Sequence, residues 1–79
     1  MAKGRMNEQE CFGSVMRSRR LALGISQEEL AARANVHRTY VGSVERGERN
    51  ISLLNIYAFA KAFGTTAGSL LTEADKLLE

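Results

Sequence analysis

The feature that most constrains the fold is the stretch from Ser26 to Gly47, which holds signals for two helices and a sharp turn between them. Ser26 and Glu29 have the spacing of a capping box, in which each side chain accepts a hydrogen bond from the other's backbone N–H at a helix start. Asn35 tolerates the left-handed backbone of a sharp turn, and Gly47 suits the end of a helix. The predicted helices cover residues 27–34 and about 37–46. These signals predict a helix-turn-helix over about 26–47.

Helical signals also fill the rest of the chain. The predicted caps and ends are Asn7 and Gly24 for helix 1, Ser52 and Gly64 for helix 4, and Thr66 for a short helix 5. Apolar residues recur at helical spacing and are predicted to face one core: Phe12, Met16, Leu23, Leu30, Ala31, Ala34, Leu53, Ile56, Phe59, Ala60, Phe63 and Leu70. The predicted fold class is therefore all-α with five helices. We expect residues 1–6 to be a flexible N-terminus, residues 7–79 to form one domain, and the tail after Thr72 either to extend helix 5 or to fray.

Length and composition exclude several classes of protein. The 79 residues allow one small core, and Cys11 is the only cysteine, so no disulfide forms within the chain. A lone thiol without a secretory segment predicts a cytoplasmic protein, and no apolar run reaches the roughly 20 residues that cross a bilayer. Cys11 and His37 lack the third group and the oxyanion loop of a nucleophilic enzyme. We expect no catalysis, no cofactor and no metal ion, and we expect oligomerisation to add stability.

Charge is spread unevenly along the chain, although the net charge is only +2. Residues 14–61 hold eight Lys or Arg against four Asp or Glu, whereas residues 64–79 hold one Lys against three acidic residues. A basic body with an acidic tail favours a polyanionic partner near the middle of the chain.

The two faces of helix 3 indicate what that partner is. At 100° per residue, one face carries apolar side chains that can pack on other helices, namely Tyr40, Val41 and Val44. The opposite face carries Arg38, Thr39, Gly42, Ser43 and Arg46. Arginine donates a bidentate pair to guanine, and threonine offers a methyl and a hydroxyl to base edges in the major groove. Gly42 costs about 1 kcal/mol in a helix interior relative to alanine, and we interpret it as allowing close approach to DNA.

The sequence resembles the lambda-repressor-like, or Xre-type, helix-turn-helix family. The resemblance covers roughly residues 12–71 and rests on Ser26-Gln27-Glu28-Glu29-Leu30-Ala31, Val36, Val41, Glu45, Gly47, Ser52 and Ala60. His37-Arg38-Thr39-Tyr40 with Glu45-Arg46-Gly47-Glu48-Arg49-Asn50 is similar, more narrowly, to the controller proteins of restriction-modification systems. The resemblance implies a five-helix fold and a sequence-specific transcription regulator. Such a controller binds its own promoter region, activating at low occupancy and repressing at high occupancy.

The resemblance also implies roles for individual residues. Implied base contacts are Arg38, Thr39, Ser43, Arg46 and Arg49. Implied contacts to the DNA backbone are Gln27, Tyr40, Asn50, Ser52 and Asn55, and we expect His37 to lie beside a phosphate because it is at the start of helix 3. Arg20 and Glu45 are implied to form a structural ion pair. Arg19 departs from the family, which has an apolar residue at this position, and we expect its side chain to reach outward to solvent.

Apolar residues beyond the core stripe predict a homodimer. The predicted interface consists of Leu54, Tyr57, Ala58, Leu71, Leu77 and Leu78. A two-fold dimer would place two recognition helices about 34 Å apart, so the double-stranded operator would be roughly palindromic. Activation would need a contact with RNA polymerase, for which Glu28, Glu29 and Glu48 are candidates by their expected exposure.

Other functions use the same fold. A phage-type repressor would share the site residues, and an antitoxin would bind both DNA and a protein partner. A protein-interaction module could use the fold without contacting DNA. The deciding feature is the outer face of helix 3, because a pure interaction module has little need for Arg38, Arg46 and Arg49 together.

Overall fold

The computed structural model describes residues 5–78, and within this range it contains five α-helices and no strand. The helices are α1 (Glu8–Leu23), α2 (Gln27–Ala34), α3 (Arg38–Glu45), α4 (Leu53–Phe63) and α5 (Ala67–Leu78). None of them is both long enough and apolar enough to cross a membrane. The predicted flexible N-terminus lies mostly outside the described residues, and Met6 at its end packs against the core.

The helices begin where side chains satisfy free backbone N–H groups. Asn7 and Glu10 form a complete capping box, with Asn7 Oδ1 accepting from Glu10 N at 2.8 Å and Glu10 Oε1 accepting from Asn7 N at 3.0 Å. Ser26 Oγ accepts from Glu29 N at 3.0 Å, but the Glu29 carboxylate instead accepts from Arg33 Nη2. The capping box predicted at Ser26 is therefore half-formed, because an arginine one turn away competes for the carboxylate.

The turn between α2 and α3 depends on Asn35, which has the left-handed backbone conformation expected from sequence (φ 58°, ψ 47°). Its backbone N–H donates to carbonyls at the end of α2, and α3 begins at Arg38. His37 is the N-cap residue of α3 and makes no side-chain capping bond. This compact connection fixes α3 against α2.

The core is formed by side chains from all five helices, with Met16, Leu30, Val41, Phe59 and Leu70 fully buried. Helix α1 crosses α3 and α5, and α2 packs on α3 and α4. Two predicted core residues are instead exposed: Leu23 keeps 49% and Leu53 keeps 64% of its surface. Both predictions were wrong because Leu23 is the last residue of α1 and Leu53 is the first of α4. At these helix ends no neighbouring helix covers the apolar face.

Helix α5 extends beyond Thr72, which is one of the two alternatives left open for the tail. Thr66 Oγ1 accepts from Ser69 N at 3.1 Å at its start, and the helix continues through buried Ala74 to Leu78. Arg19 helps to hold α5 against α1, because its guanidinium pairs with Glu73 and lies 3.4 Å from Ser69 Oγ. The Arg19 side chain therefore joins α1 to α5 and does not simply extend into solvent as expected.

Candidate nucleic-acid interface

A buried ion pair joins α1 to the end of α3. Arg20 Nε lies 2.7 Å from Glu45 Oε2 and Arg20 Nη2 lies 3.1 Å from Glu45 Oε1, with 10% and 3% of the two side chains exposed. The remaining guanidinium nitrogen of Arg20 donates to the Ile25 carbonyl at 3.0 Å. The hydrogen bond to Glu45 raises the pKa of Arg20 above its ordinary value. The ion pair implied by the family resemblance is thus present, and it connects α1, the α1–α2 loop and the end of α3.

The outer surface of α3 presents Arg38, Thr39 and Arg46 to solvent. Within residues 5–78, the side chains of Arg38 and Thr39 make no hydrogen bond. Both lie in the first turn of α3, which is the part of a recognition helix that commonly meets base edges. Their hydrogen-bonding groups are therefore free for an external partner.

Gly42 lies between these residues on the same face, yet it is buried. A Cβ atom built there would lie 3.2 Å from Arg46 Nη1 and 3.6 Å from Gln27 Oε1. The glycine therefore makes room for two long side chains of the protein itself. This gives Gly42 a role within the free protein, apart from the close DNA approach inferred from sequence.

Arg46 is paired with a nearby carboxylate. Arg46 Nε lies 3.0 Å from Glu48 Oε2 and Arg46 Nη2 lies 3.2 Å from Glu48 Oε1. The hydrogen bond from Arg46 holds the pKa of Glu48 below its ordinary value, and the same bond raises the pKa of Arg46. More than half of each side chain is exposed, so Arg46 is oriented by Glu48 while its Nη1 stays beside Gly42.

Arg49 follows in the loop between α3 and α4, where it contacts two residues of α3. Its Nε donates to Ser43 Oγ at 3.0 Å, and its Cζ lies 5.5 Å from the centre of the Tyr40 ring. Ser43 is only 8% exposed. The structure therefore places Ser43 beneath Arg49, whereas the sequence prediction placed it on the DNA-facing surface; 100° per residue puts Ser43 at the edge of that face.

The residues predicted to touch the DNA backbone are spread over α2, α3 and the start of α4. Gln27, at the start of α2, donates from Nε2 to Glu45 Oε1 at 3.0 Å. Tyr40, Ser52 and Asn55 meet at the start of α4, where Asn55 Nδ2 donates to the Tyr40 hydroxyl at 3.0 Å and Ser52 Oγ accepts from Asn55 N at 3.1 Å. Asn50 and His37 are exposed at the two ends of α3.

Helix α4 exposes an apolar face made of Leu53, Leu54 and Tyr57, which we call the α4 face. Leu54 is 80% and Tyr57 is 58% exposed, and Ala58 beside them is half-buried. Leu53 was missed as a member of this face because its helical position was assigned to the core. Leu71 and Leu77 are exposed on α5 but line different depressions, one beside Ile56 and the other beside Val15. Leu78 packs partly against the core.

Other reactive side chains do not form a site within the described residues. Cys11 is buried, and burial raises the pKa of its thiol. His37 lies exposed at the start of α3. No group of three His, Cys, Asp or Glu side chains in residues 5–78 could hold a metal ion. The polar side chains that are arranged for an external partner are those on and beside α3.

Comparisons with known proteins agree with this geometry. The helix-turn-helix family model matches residues 16–70. Control protein C.SmaI of Serratia marcescens is 45% identical over 67 residues, which cover 85% of this chain and 80% of the relative. The restriction-modification controller protein C.AhdI of Aeromonas hydrophila superposes with a TM-score of 0.77 at 45% identity, covering 78% of this chain and 94% of that one. The controller protein C.Esp1396I, solved as a tetramer with its natural 35 base-pair operator, superposes with a TM-score of 0.83 at 25% identity, covering 92% of this chain and 96% of that one. The chain belongs to the helix-turn-helix family of DNA-binding transcription regulators, and within it the chain is similar to the controller proteins of restriction-modification systems.

Proposed function

We propose that this chain is a restriction-modification controller that binds a roughly palindromic operator in its own promoter region as a homodimer. It acts in the bacterial cytoplasm, activating transcription at low occupancy and repressing it at high occupancy. The observation that carries the proposal is a set of exposed side chains on and beside α3, namely Arg38, Thr39, Arg46 and Arg49.

Arginines on this surface suit the edges of guanines. A guanidinium can donate two parallel hydrogen bonds to guanine O6 and N7, and a good bidentate pair discriminates against other bases by about 1–3 kcal/mol. Arg38 and Thr39 make no side-chain hydrogen bond within residues 5–78, so within that range DNA binding has none of theirs to break. We expect Gln27 and Asn50 to contact phosphates, and such contacts set register and not sequence.

The α4 face supports dimerisation through a second copy of the chain. Leu54 and Tyr57 are large, apolar and mostly exposed on adjacent turns of one helix. A patch of this kind on a small protein marks an interaction site. An isologous contact through α4 would pair two α3 helices for two half-sites of opposite orientation. The solved assembly of C.Esp1396I with its operator is a tetramer, which supports association of subunits on DNA.

Activation requires a contact with RNA polymerase, and the structure narrows the acidic candidates. Glu29 pairs with Arg33, and Glu48 pairs with Arg46. Glu28 is exposed in the first turn of α2 and forms no salt bridge within residues 5–78. Glu28 is therefore the acidic side chain that we propose for this contact.

Two experiments test the proposal. Selection from a pool of random duplexes should yield one preferred sequence with two inverted half-sites. A reporter fused to the chain's own promoter should then rise and fall as the protein is titrated, and Glu28→Gln should remove the rise while keeping the fall. Binding without any preference among duplexes contradicts sequence-specific control, and a reporter that only falls contradicts the activating role.

A further inference from the structure

Arg49 is exposed, yet two residues of α3 hold it in one place. Ser43 Oγ accepts a hydrogen bond from its Nε at 3.0 Å, and the Tyr40 ring lies below its guanidinium, with 5.5 Å between Cζ and the ring centre. An arginine at a loop position ordinarily samples many rotamers, because its side chain has several freely rotating bonds. The two contacts restrict that sampling.

The direction of the Ser43 hydroxyl is fixed by its own hydrogen bond. Ser43 Oγ donates to the Tyr40 carbonyl at 2.8 Å, and a hydroxyl has only one hydrogen to donate. Its oxygen lone pairs therefore remain for Arg49 Nε. Ser43 is also 8% exposed, so its hydroxyl lies below the surface on which Arg49 rests.

The Tyr40 ring is itself fixed by two residues of α4. It stacks on buried Phe59 with 6.2 Å between ring centres and 8° between ring planes. Its hydroxyl accepts from Asn55 Nδ2 at 3.0 Å. The loop backbone is fixed as well, because Glu48 N donates to the Ser43 carbonyl at 2.9 Å. Arg49 thus rests on a support that α3 and α4 build together.

We propose that Ser43 is a positioning residue for DNA recognition that acts through Arg49 and does not itself touch a base. The inference rests on the proposed function, since it assigns how one base contact of that function is prepared. With Nε bonded to Ser43, the four N–H groups on Nη1 and Nη2 remain, and they make no hydrogen bond within residues 5–78. That edge of the guanidinium is a fork suited to guanine O6 and N7.

The expected benefit is a smaller entropy loss on binding. Immobilising one rotamer-rich side chain at an interface costs about 0.5–1.5 kcal/mol, which corresponds to roughly a 2- to 10-fold change in affinity. Ser43→Ala should therefore weaken binding to the selected operator by roughly 2- to 10-fold. Ser43→Ala should reduce base discrimination at the same base pair at which Arg49→Ala abolishes it. Discrimination at the other base pairs should be unchanged.

A double-mutant cycle separates this role from a direct contact. Operator Kd is measured for wild type, Ser43→Ala, Arg49→Ala and the double variant, with circular dichroism melting to compare their stability. If Ser43 acts through Arg49, Ser43→Ala has no further effect once Arg49 is alanine. An equal loss in both backgrounds overturns the proposal, as does unchanged discrimination at the Arg49 base pair. Ser43→Thr keeps the hydroxyl and should restore the discrimination.

A measurement on the free protein keeps the inference testable without DNA. In wild type, the Arg49 Nε–H should give a resolved NMR signal with slowed exchange, and Ser43→Ala should return it to the behaviour of an exposed arginine. Tyr40→Phe keeps the ring and should leave the signal in place. A wild-type signal already like that of an exposed arginine overturns the inference. A wild type that selects no preferred duplex contradicts the proposed function instead, so the two failures are distinguishable.

Discussion

Gln27 Nε2 and Glu45 Oε1 are joined by a 3.0 Å hydrogen bond that links the first residue of α2 to the last residue of α3. The same carboxylate oxygen accepts from Arg20 Nη2 at 3.1 Å. One glutamate therefore fixes the angle between the two helices of the motif and attaches both to α1. The Glu45 side chain is only 3% exposed. If Arg20 or Gln27 were removed, solvent could not readily supply a replacement hydrogen bond to its carboxylate.

Glu45→Ala should lower the free energy of unfolding by about 3 kcal/mol. Removing one partner of a buried ion pair leaves an unpaired charge, which typically costs about 3–5 kcal/mol, and the 10% exposure of the Arg20 side chain favours the lower end. Urea denaturation measures the change. Glu48→Ala is the matched control, because it breaks an exposed pair with Arg46 and should hardly change stability. Equal effects of the two variants would contradict a structural role for Glu45.

Gln27→Ala should weaken binding to the operator and to an unrelated duplex by similar factors. The side chain lies at the start of α2 and over Gly42, where it can meet a phosphate but carries no sequence information. Fluorescence anisotropy on both duplexes gives the comparison. A loss confined to the operator would mean that Gln27 contacts a base.

Arg38→Ala should cost about 1–3 kcal/mol on the preferred operator and relax sequence choice at one position of each half-site. Its guanidinium has no hydrogen-bond partner within residues 5–78, so the variant should keep the stability of the wild type. Arg33→Ala is a control of the same residue type at the end of α2, paired with Glu29. If Arg38→Ala discriminated between bases as well as the wild type does, other residues would be responsible for base recognition.

Leu54→Lys should convert the dimer to a monomer without unfolding the chain. Leu54 is 80% exposed, so a lysine there should leave the core intact and disturb only the proposed dimer contact. Sedimentation velocity at micromolar concentration should show a dimer for wild type and a monomer for the variant. Leu23→Lys, at an exposed leucine on α1, should stay dimeric. Dimeric Leu54→Lys would place the interface away from the α4 face.

The Arg46–Glu48 pair should persist at pH values where ordinary glutamates begin to protonate. Arg46 holds the pKa of Glu48 below its usual value in the folded state. The stabilisation is therefore fully present above the pKa of unfolded glutamate, and it is lost as the pH falls through the lower folded pKa. NMR titration of the Glu48 carboxyl carbon should show this low midpoint, and Arg46→Ala should raise it. An unchanged midpoint in Arg46→Ala would assign the shift to another group.

Sequence patterns predicted the helices well because caps and turns are local. Asn7, Ser26 and Ser52 begin helices as expected, and Asn35 forms the turn. Partners distant in sequence were the difficulty. The pairing of Arg19 with Glu73 depends on how α5 lies on α1, which no local pattern contains.

The depth at which the candidate site residues lie could not be predicted from the sequence. Helical periodicity gives the angle of a side chain around α3 but not the depth at which neighbouring segments cover it. Ser43 lies at the edge of the outer face by angle, yet Arg49 covers it. Gly42 lies at the centre of that face, yet Gln27 and Arg46 fill the space above it.

The backbones of α1 and α3 are in direct contact at Gly13, and this contact limits how the sequence preference of such a protein can change. At Gly13 the backbones of the two helices touch, since a Cβ atom there would meet the Val44 carbonyl oxygen and lie 2.8 Å from that of Glu45. No side chain separates them, so the tilt of α3 is set by main-chain atoms that every sequence shares. Exchanging the outward residues of α3 can then alter which bases are preferred while the docking angle is inherited unchanged. A single methyl group at position 13 would instead force α1 and α3 apart, because it would meet the carbonyl oxygens of Val44 and Glu45.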